Sequence, residues 1–200
     1  AALLERKSAE DGHPIYIIAD EPYRELVYGS VKVPFIPCLY KNTIVCYSFS
    51  KSLSLPGERL GYVLVPKQVT DADAVYAATA GAGRSQGYVN APSLFQRVAA
   101  ECCDLTADIG VYERNCALLT DGLREMGYHV VQPGGAFYLF PRSLEPDDMA
   151  FSERAKKFDL LLVPGSGFGA PGHFRIAYCV QTEMIERALP RFKALADSYQ

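Results

Sequence analysis

Lys51 lies in the stretch Ser48-Phe49-Ser50-Lys51-Ser52-Leu53-Ser54-Leu55-Pro56-Gly57-Glu58-Arg59-Leu60-Gly61, directly after the apolar run Thr43-Ile44-Val45-Cys46-Tyr47. A strand fixes the position of a lysine at its mouth, and small serines leave room around the amine. Arg59 adds a permanently charged, planar donor suited to a phosphate. These are the groups needed to hold a phosphorylated carbonyl compound on a lysine as an imine. Taken alone, Lys51 could equally close the strand and point to water, as most lysines do.

A second polar cluster stands upstream. His13-Pro14-Ile15-Tyr16-Ile17-Ile18-Ala19 reads as a short strand, too apolar to alternate, and it ends in Asp20-Glu21-Pro22-Tyr23. Such runs suit strands buried on both faces of a parallel sheet. The segment between the two strands exceeds the roughly dozen residues that a parallel crossover requires. In an open parallel sheet the carboxyl ends of the strands share one edge, where ligands bind. Asp20 could hold a protonated ring nitrogen there, or Asp20 and Glu21 could be turn residues before Pro22.

The stretch around Lys51 resembles the active-site signature of the class I and II aminotransferases, pyridoxal phosphate enzymes of the aspartate aminotransferase type. The resemblance spans nearly the whole chain but only the carboxyl-terminal half or so of such an enzyme, so the sequence is expected to be part of a longer polypeptide. It implies an α/β chain of the pyridoxal-phosphate-dependent transferase fold type I. Residues 1–105 would be the remaining part of a large cofactor-binding domain with a mostly parallel sheet, and residues 106–200 a small α/β or α+β domain. It also implies pyridoxal 5′-phosphate as cofactor, carried by Lys51. Asp20 would pair with the ring nitrogen and Tyr23 would contact the ring hydroxyl. Ser48, Ser50 and Arg59 would hold the phosphate.

Arg175, in His173-Phe174-Arg175-Ile176-Ala177-Tyr178, stands between apolar neighbours. A guanidinium there must be paired or face a site, because its charge is too costly to bury alone. A structural salt bridge and a carboxylate-binding role both satisfy that demand. The resemblance assigns Arg175 to the substrate's α-carboxylate. It further implies amino acid and 2-oxo acid substrates, a homodimer and a cytoplasmic setting. A β-eliminating carbon-sulfur lyase would use the same cofactor groups. A noncatalytic effector-sensing domain of a regulator is the alternative of another class. Arg84 is a further candidate for a second carboxylate.

The composition agrees with a globular chain. Its 200 residues are 49% hydrophobic, enough for a core of one or two domains. A net charge of −3 gives no basic field for nucleic acid. No apolar stretch reaches the roughly 18 residues that span a membrane. The six cysteines form no paired C-x-x-C arrangement and read mostly as small buried hydrophobes. His13, His129 and His173 lack companions at ligand spacing, so no metal site is expected.

Helices are expected at the amino terminus up to Gly12, over 71–80, after Pro92 and from Thr106-Ala107-Asp108 to Gly127. Two more are expected over 149–158 and 183–197. Gly81-Ala82-Gly83-Arg84-Ser85-Gln86-Gly87 reads as a loop whose glycines end the helix before it. Pro190 should bend the last helix or end it early. Strands are expected over 60–65, 128–131, 136–140, 160–163 and 174–179. Gly165-Ser166-Gly167-Phe168-Gly169 reads as a loop, since Pro171 and Gly172 stand where a dinucleotide-binding helix would begin.

Overall fold

The computed structural model describes residues 1–199 and divides into two compact units. The first comprises residues 1–26 and 32–107, the second residues 27–31 and 108–200.

In the first unit, helix α1 (Ala2–Asp11) ends at Gly12, whose φ of 71° makes it the left-handed cap that glycine tolerates best. Strands β1 (Ile17–Asp20) and β2 (Thr43–Ser48) pair in parallel, with Asp20 opposite Cys46. A four-residue helical turn, α2 (Phe49–Ser52), follows β2 without a break. Strand β3 (Gly61–Leu64) then returns antiparallel to β2. This corrects the expectation of a mostly parallel sheet, since one of its two pairings is antiparallel. The link from Ser48 to Gly61 is taken up by α2 and a second short turn at Pro56–Glu58. These turns fold the link back on itself, and the chain returns along the neighbouring edge.

Burial on this sheet is one-sided. Val45 is buried, whereas Ile18 is 69% and Val63 46% exposed, so β1 is not covered on both faces as its composition suggested. Pairing also begins later than the apolar run, at Ile17. Helix α3 (Ala72–Ser85) corrects a second expectation, because it runs through Gly81 and Gly83. Glycine costs a helix only about 1 kcal/mol relative to alanine, and six alanines precede or separate these two. The turn that ends α3 is made instead at Gly87, with φ of 85°. Helix α4 (Ser93–Cys102) begins after Pro92, as expected, and buries Ala99.

The second unit opens with helix α5 (Ile109–Glu125), capped by the Asp108 carboxylate and stopped before Gly127, as its periodicity predicts. Cys116, Leu119 and Leu123 form its buried stripe. Strand β4 (Tyr138–Leu139), helix α6 (Asp148–Lys156), strands β5 (Val163–Pro164) and β6 (Phe174–Ala177), and helix α7 (Thr182–Asp197) complete the unit. The sheet order is β4-β6-β5, all antiparallel. The strands are shorter than expected, and residues 128–131 form no strand.

Helix α7 passes through Pro190 rather than ending there. Ile185 lies before the proline, Phe192 and Leu195 after it, and all three are buried, so core packing holds both halves. Glu186, whose carbonyl loses its partner to the proline ring, is exposed and can be hydrated. Phe151, Phe174 and Phe192 are fully buried, with the Phe151 and Phe174 rings 4.8 Å apart. Burying each such ring contributes about 1.5–3 kcal/mol.

All six cysteines are free thiols. Only Cys116 is buried, whereas Cys38, Cys103 and Cys179 are exposed, contrary to their reading as core residues.

Candidate functional site

Asp20 and Ser48 stand at the carboxyl ends of neighbouring parallel strands. Because Asp20 is in register with Cys46, and Ser48 follows two positions on, the three project from one face. The chain leaves β1 as Glu21-Pro22-Tyr23, with the Glu21 amide still bonded to the Cys46 carbonyl at 2.9 Å. It leaves β2 into α2, which presents Lys51. These two exits bring the Lys51 amine to 6.0 Å from the centre of the Tyr23 ring.

The Lys51 turn is held at its front by Ser48. Its Oγ accepts from the Ser50 amide at 3.2 Å and lies 2.8 Å from Ser50 Oγ, so both hydroxyls sit at the start of α2. Hydroxyls at such a start suit an anionic oxygen. Arg59 is exposed and donates Nη1 to the Pro56 carbonyl at 2.9 Å. Its backbone is left-handed, with φ of 53°, as is that of Ser54 at 54°. Non-glycine residues pay about 1 kcal/mol or more for that conformation, and such strain clusters where ligands bind. Glu21 adds a buried acceptor: Oε2 takes a hydrogen bond from Arg24 at 2.8 Å, while Oε1 has no protein donor.

Close packing of β3 on β2 depends on Gly61. A Cβ there would lie 2.3 Å from the Tyr47 carbonyl oxygen.

Arg175 belongs to the second unit, on β6. Its guanidinium carbon sits 4.7 Å from the Tyr138 ring centre and 4.5 Å from that of Phe168. Each contact is worth about 0.5–2 kcal/mol. Arg175 forms no ion pair among the described residues, which removes the structural salt bridge as its explanation. Two aromatic faces hold the guanidinium in place. Spacing did not single out Tyr138 or Phe168, since their contact with Arg175 depends on strand pairing and a loop.

That loop, a tight turn over Gly165–Phe168, is fastened by a buried acid. Asp148, 2% exposed, accepts from the Ser166 amide and the Ser166 hydroxyl, both at 2.7 Å, and from the Gly172 amide at 3.2 Å. The Ser166 hydroxyl, then its amide, are the main causes that lower the Asp148 carboxyl from 3.8 to about 2. A carboxyl that is more acidic folded than unfolded stabilises fully above about pH 4 and loses that contribution as pH falls towards about 2. Urea midpoints measured between pH 5 and pH 2 should therefore fall, and the slope over that window should be shallower in Asp148→Asn. Equal slopes would remove Asp148 from this role.

The described residues contain no group of three or more histidine, cysteine or acidic side chains able to hold a metal ion. No described helix is long and apolar enough to cross a membrane.

The chain belongs to the aminotransferase class I and II family, whose profile matches residues 8–192. It is 32% identical to the aspartate aminotransferase of Geobacillus stearothermophilus over 90% of this chain and 48% of that protein. The aromatic-amino-acid aminotransferase 2 of Thermococcus litoralis is also 32% identical, over 96% of this chain and 53% of its own. The crystal structure of an amino transferase from Eubacterium rectale is 56% identical, with a TM-score of 0.95 over all of this chain and 50% of that one. An aspartate aminotransferase from Thermotoga maritima gives a TM-score of 0.81 at 26% identity. The chain thus spans about half the length of the curated relatives it matches.

Proposed function

We propose that this chain carries the cofactor-anchoring part of a pyridoxal 5′-phosphate-dependent aminotransferase of fold type I, which moves an amino group between an L-amino acid and a 2-oxo acid. The observation that carries this reading is the approach of the Lys51 amine to the Tyr23 ring, at the carboxyl ends of the two parallel strands that also bear Asp20 and Ser48. Residues 1–105 are read as the remaining part of the large domain and residues 106–200 as the small one. A homodimer in the cytoplasm is part of the same proposal. The names of the relatives, aspartate and aromatic-amino-acid aminotransferases, favour amino transfer over β-elimination.

The donor set fits the cofactor. Lys51 offers the amine for an aldehyde, Asp20 a carboxylate for a pyridinium, and Tyr23 a phenol for the ring hydroxyl. Ser48, Ser50 and Arg59 offer hydroxyls and a guanidinium for the phosphate. When bound, pyridoxal 5′-phosphate supplies an electron-withdrawing ring that stabilises negative charge on a substrate carbon losing a proton. Asp20 favours the protonated ring nitrogen by its charge. Lys51 would tether the group, and its amine would hold and move the proton at the substrate α-carbon. Arg175 grips the α-carboxylate and so fixes which α-carbon bond is presented.

Titration of the chain with pyridoxal 5′-phosphate should give a saturable new absorption band. That band should weaken by about tenfold or more in Lys51→Ala, because the reacting amine is removed. An unchanged band in Lys51→Ala would mean that a different lysine reacts.

A further inference from the structure

The rear of the Lys51 turn is braced by residues that the proposed function does not use. Tyr47, the residue before the Ser48 cap, places its hydroxyl 2.8 Å from Glu25 Oε2 and 2.9 Å from Ser52 Oγ. A phenol has one proton, so Tyr47 donates to the Glu25 carboxylate and accepts from the Ser52 hydroxyl. Burial, and then the Glu25 carboxylate, push the Tyr47 phenol up to about 12, so it stays protonated at neutral pH. Its ring is held as well, stacked on Tyr62 at 5.1 Å and edge-on to Phe49 at 5.2 Å. Ser52 is 2% exposed, and its carbonyl accepts from the Ala107 amide at 2.6 Å.

The three residues come from both strand exits. Glu25 lies two positions beyond Tyr23, and Ser52 directly follows Lys51. We infer that Glu25, Tyr47 and Ser52 form a positioning relay that locks the turn bearing Lys51 to the exit bearing Asp20 and Tyr23, and so fixes where the lysine amine can reach. The inference deepens the proposed function and rests on its assignment of Lys51. None of the three is a catalytic residue, because each acts through the backbone that carries Lys51 or Tyr23.

Two measurements separate the relay from that assignment. Hydrogen exchange reads the turn itself, through the Leu53 amide, bonded to the Phe49 carbonyl at 3.3 Å, and the Ser54 amide, bonded to the Lys51 carbonyl at 3.3 Å. Tyr47→Phe should speed exchange at these two amides about fivefold, the loss expected of one hydrogen bond, while amides of the β2–β3 ladder stay within about twofold. Ser52→Ala should do the same, and the double variant should add nothing further, since either change alone breaks the relay. Glu25→Gln keeps an acceptor for the phenol and should retain most of the protection. Unchanged exchange at Leu53 and Ser54, equal acceleration in turn and strands, or additive single effects would each overturn the relay.

The second measurement treats the same proteins with pyridoxal 5′-phosphate and borohydride and compares labelling of Lys51 with that of the exposed Lys41 and Lys67. The ratio should fall about fivefold in Tyr47→Phe, and an unchanged ratio would overturn the positioning role. A wild-type chain that labels Lys51 no better than Lys41 would instead sink the proposed function, while exchange at the turn still decides whether the relay holds it.

Discussion

Gly165→Ala should destabilise the second unit by about 3 kcal/mol, lowering its thermal midpoint by about 10 °C or more. The methyl would lie 2.3 Å from the Ala170 carbonyl oxygen and 2.7 Å from that of His173. Both obstacles are backbone, so neither can swing aside. Gly165 is also stitched on both sides, its amide to the His173 carbonyl at 2.8 Å and its carbonyl to the Ala170 amide at 3.1 Å. Any retreat that makes room for the methyl breaks these bonds and displaces Phe168 from Arg175. Gly167→Ala is the control from the same turn. A Cβ there meets nothing within 4 Å, and its effect should stay within about 0.5 kcal/mol. Equal midpoints for the two variants would refute the packing argument.

Asn115→Ala should cost about 3 kcal/mol in urea denaturation, through lost hydrogen bonds rather than lost contacts. Asn115 is fully buried on α5, and its amide donates to the carbonyls of Tyr178 at 3.1 Å and Val180 at 2.8 Å. Its carbonyl oxygen accepts from the Thr182 hydroxyl at 2.8 Å. One side chain therefore satisfies the backbone that leaves β6 and the residue that starts α7. Removing it orphans the buried Tyr178 carbonyl, costing about 1–3 kcal/mol, and the part-buried Val180 carbonyl. Asn115→Asp should be no better, because an acid in that place offers no donors to the two carbonyls. A loss below about 1 kcal/mol in Asn115→Ala would show that water replaces the amide.

What was legible in the sequence followed from local rules. The strand before Lys51 could be read from its apolar run, whereas the Ser48-capped turn that carries the lysine was not legible. Helix α5 was marked at both ends, by Asp108 and Gly127. Misreadings arose where longer-range packing overrode a local breaker. Gly81 and Gly83 weaken α3 without ending it, and Pro190 is carried by the buried side chains on either side of it. The direction of β3 depends on the path between Ser48 and Gly61, which strand composition does not encode. Glu25, Tyr47 and Ser52 form a chain of contacts across two strand exits, and Asp148 reaches Ser166 across 18 positions. No spacing rule connects residues of that kind.

The candidate site shows the same division. Lys51, Asp20, Tyr23, Ser48, Ser50, Arg59 and Arg175 were nameable because each sits in a motif or interrupts an apolar strand. The residues that hold them in place were not. Phe168, for example, follows a strand in a glycine-rich loop, and only the fold lays its ring against Arg175.

The central claim is that one amine, on Lys51, takes the aldehyde of pyridoxal 5′-phosphate. Its most direct measurement is mass mapping of the chain after brief exposure to a stoichiometric amount of pyridoxal 5′-phosphate, borohydride reduction and digestion. The account predicts a phosphopyridoxyl group on the peptide containing Lys51, and its disappearance in Lys51→Ala without transfer to another lysine. A label that settles mainly on Lys41, Lys67 or any other lysine, with Lys51 left unmodified, would contradict it.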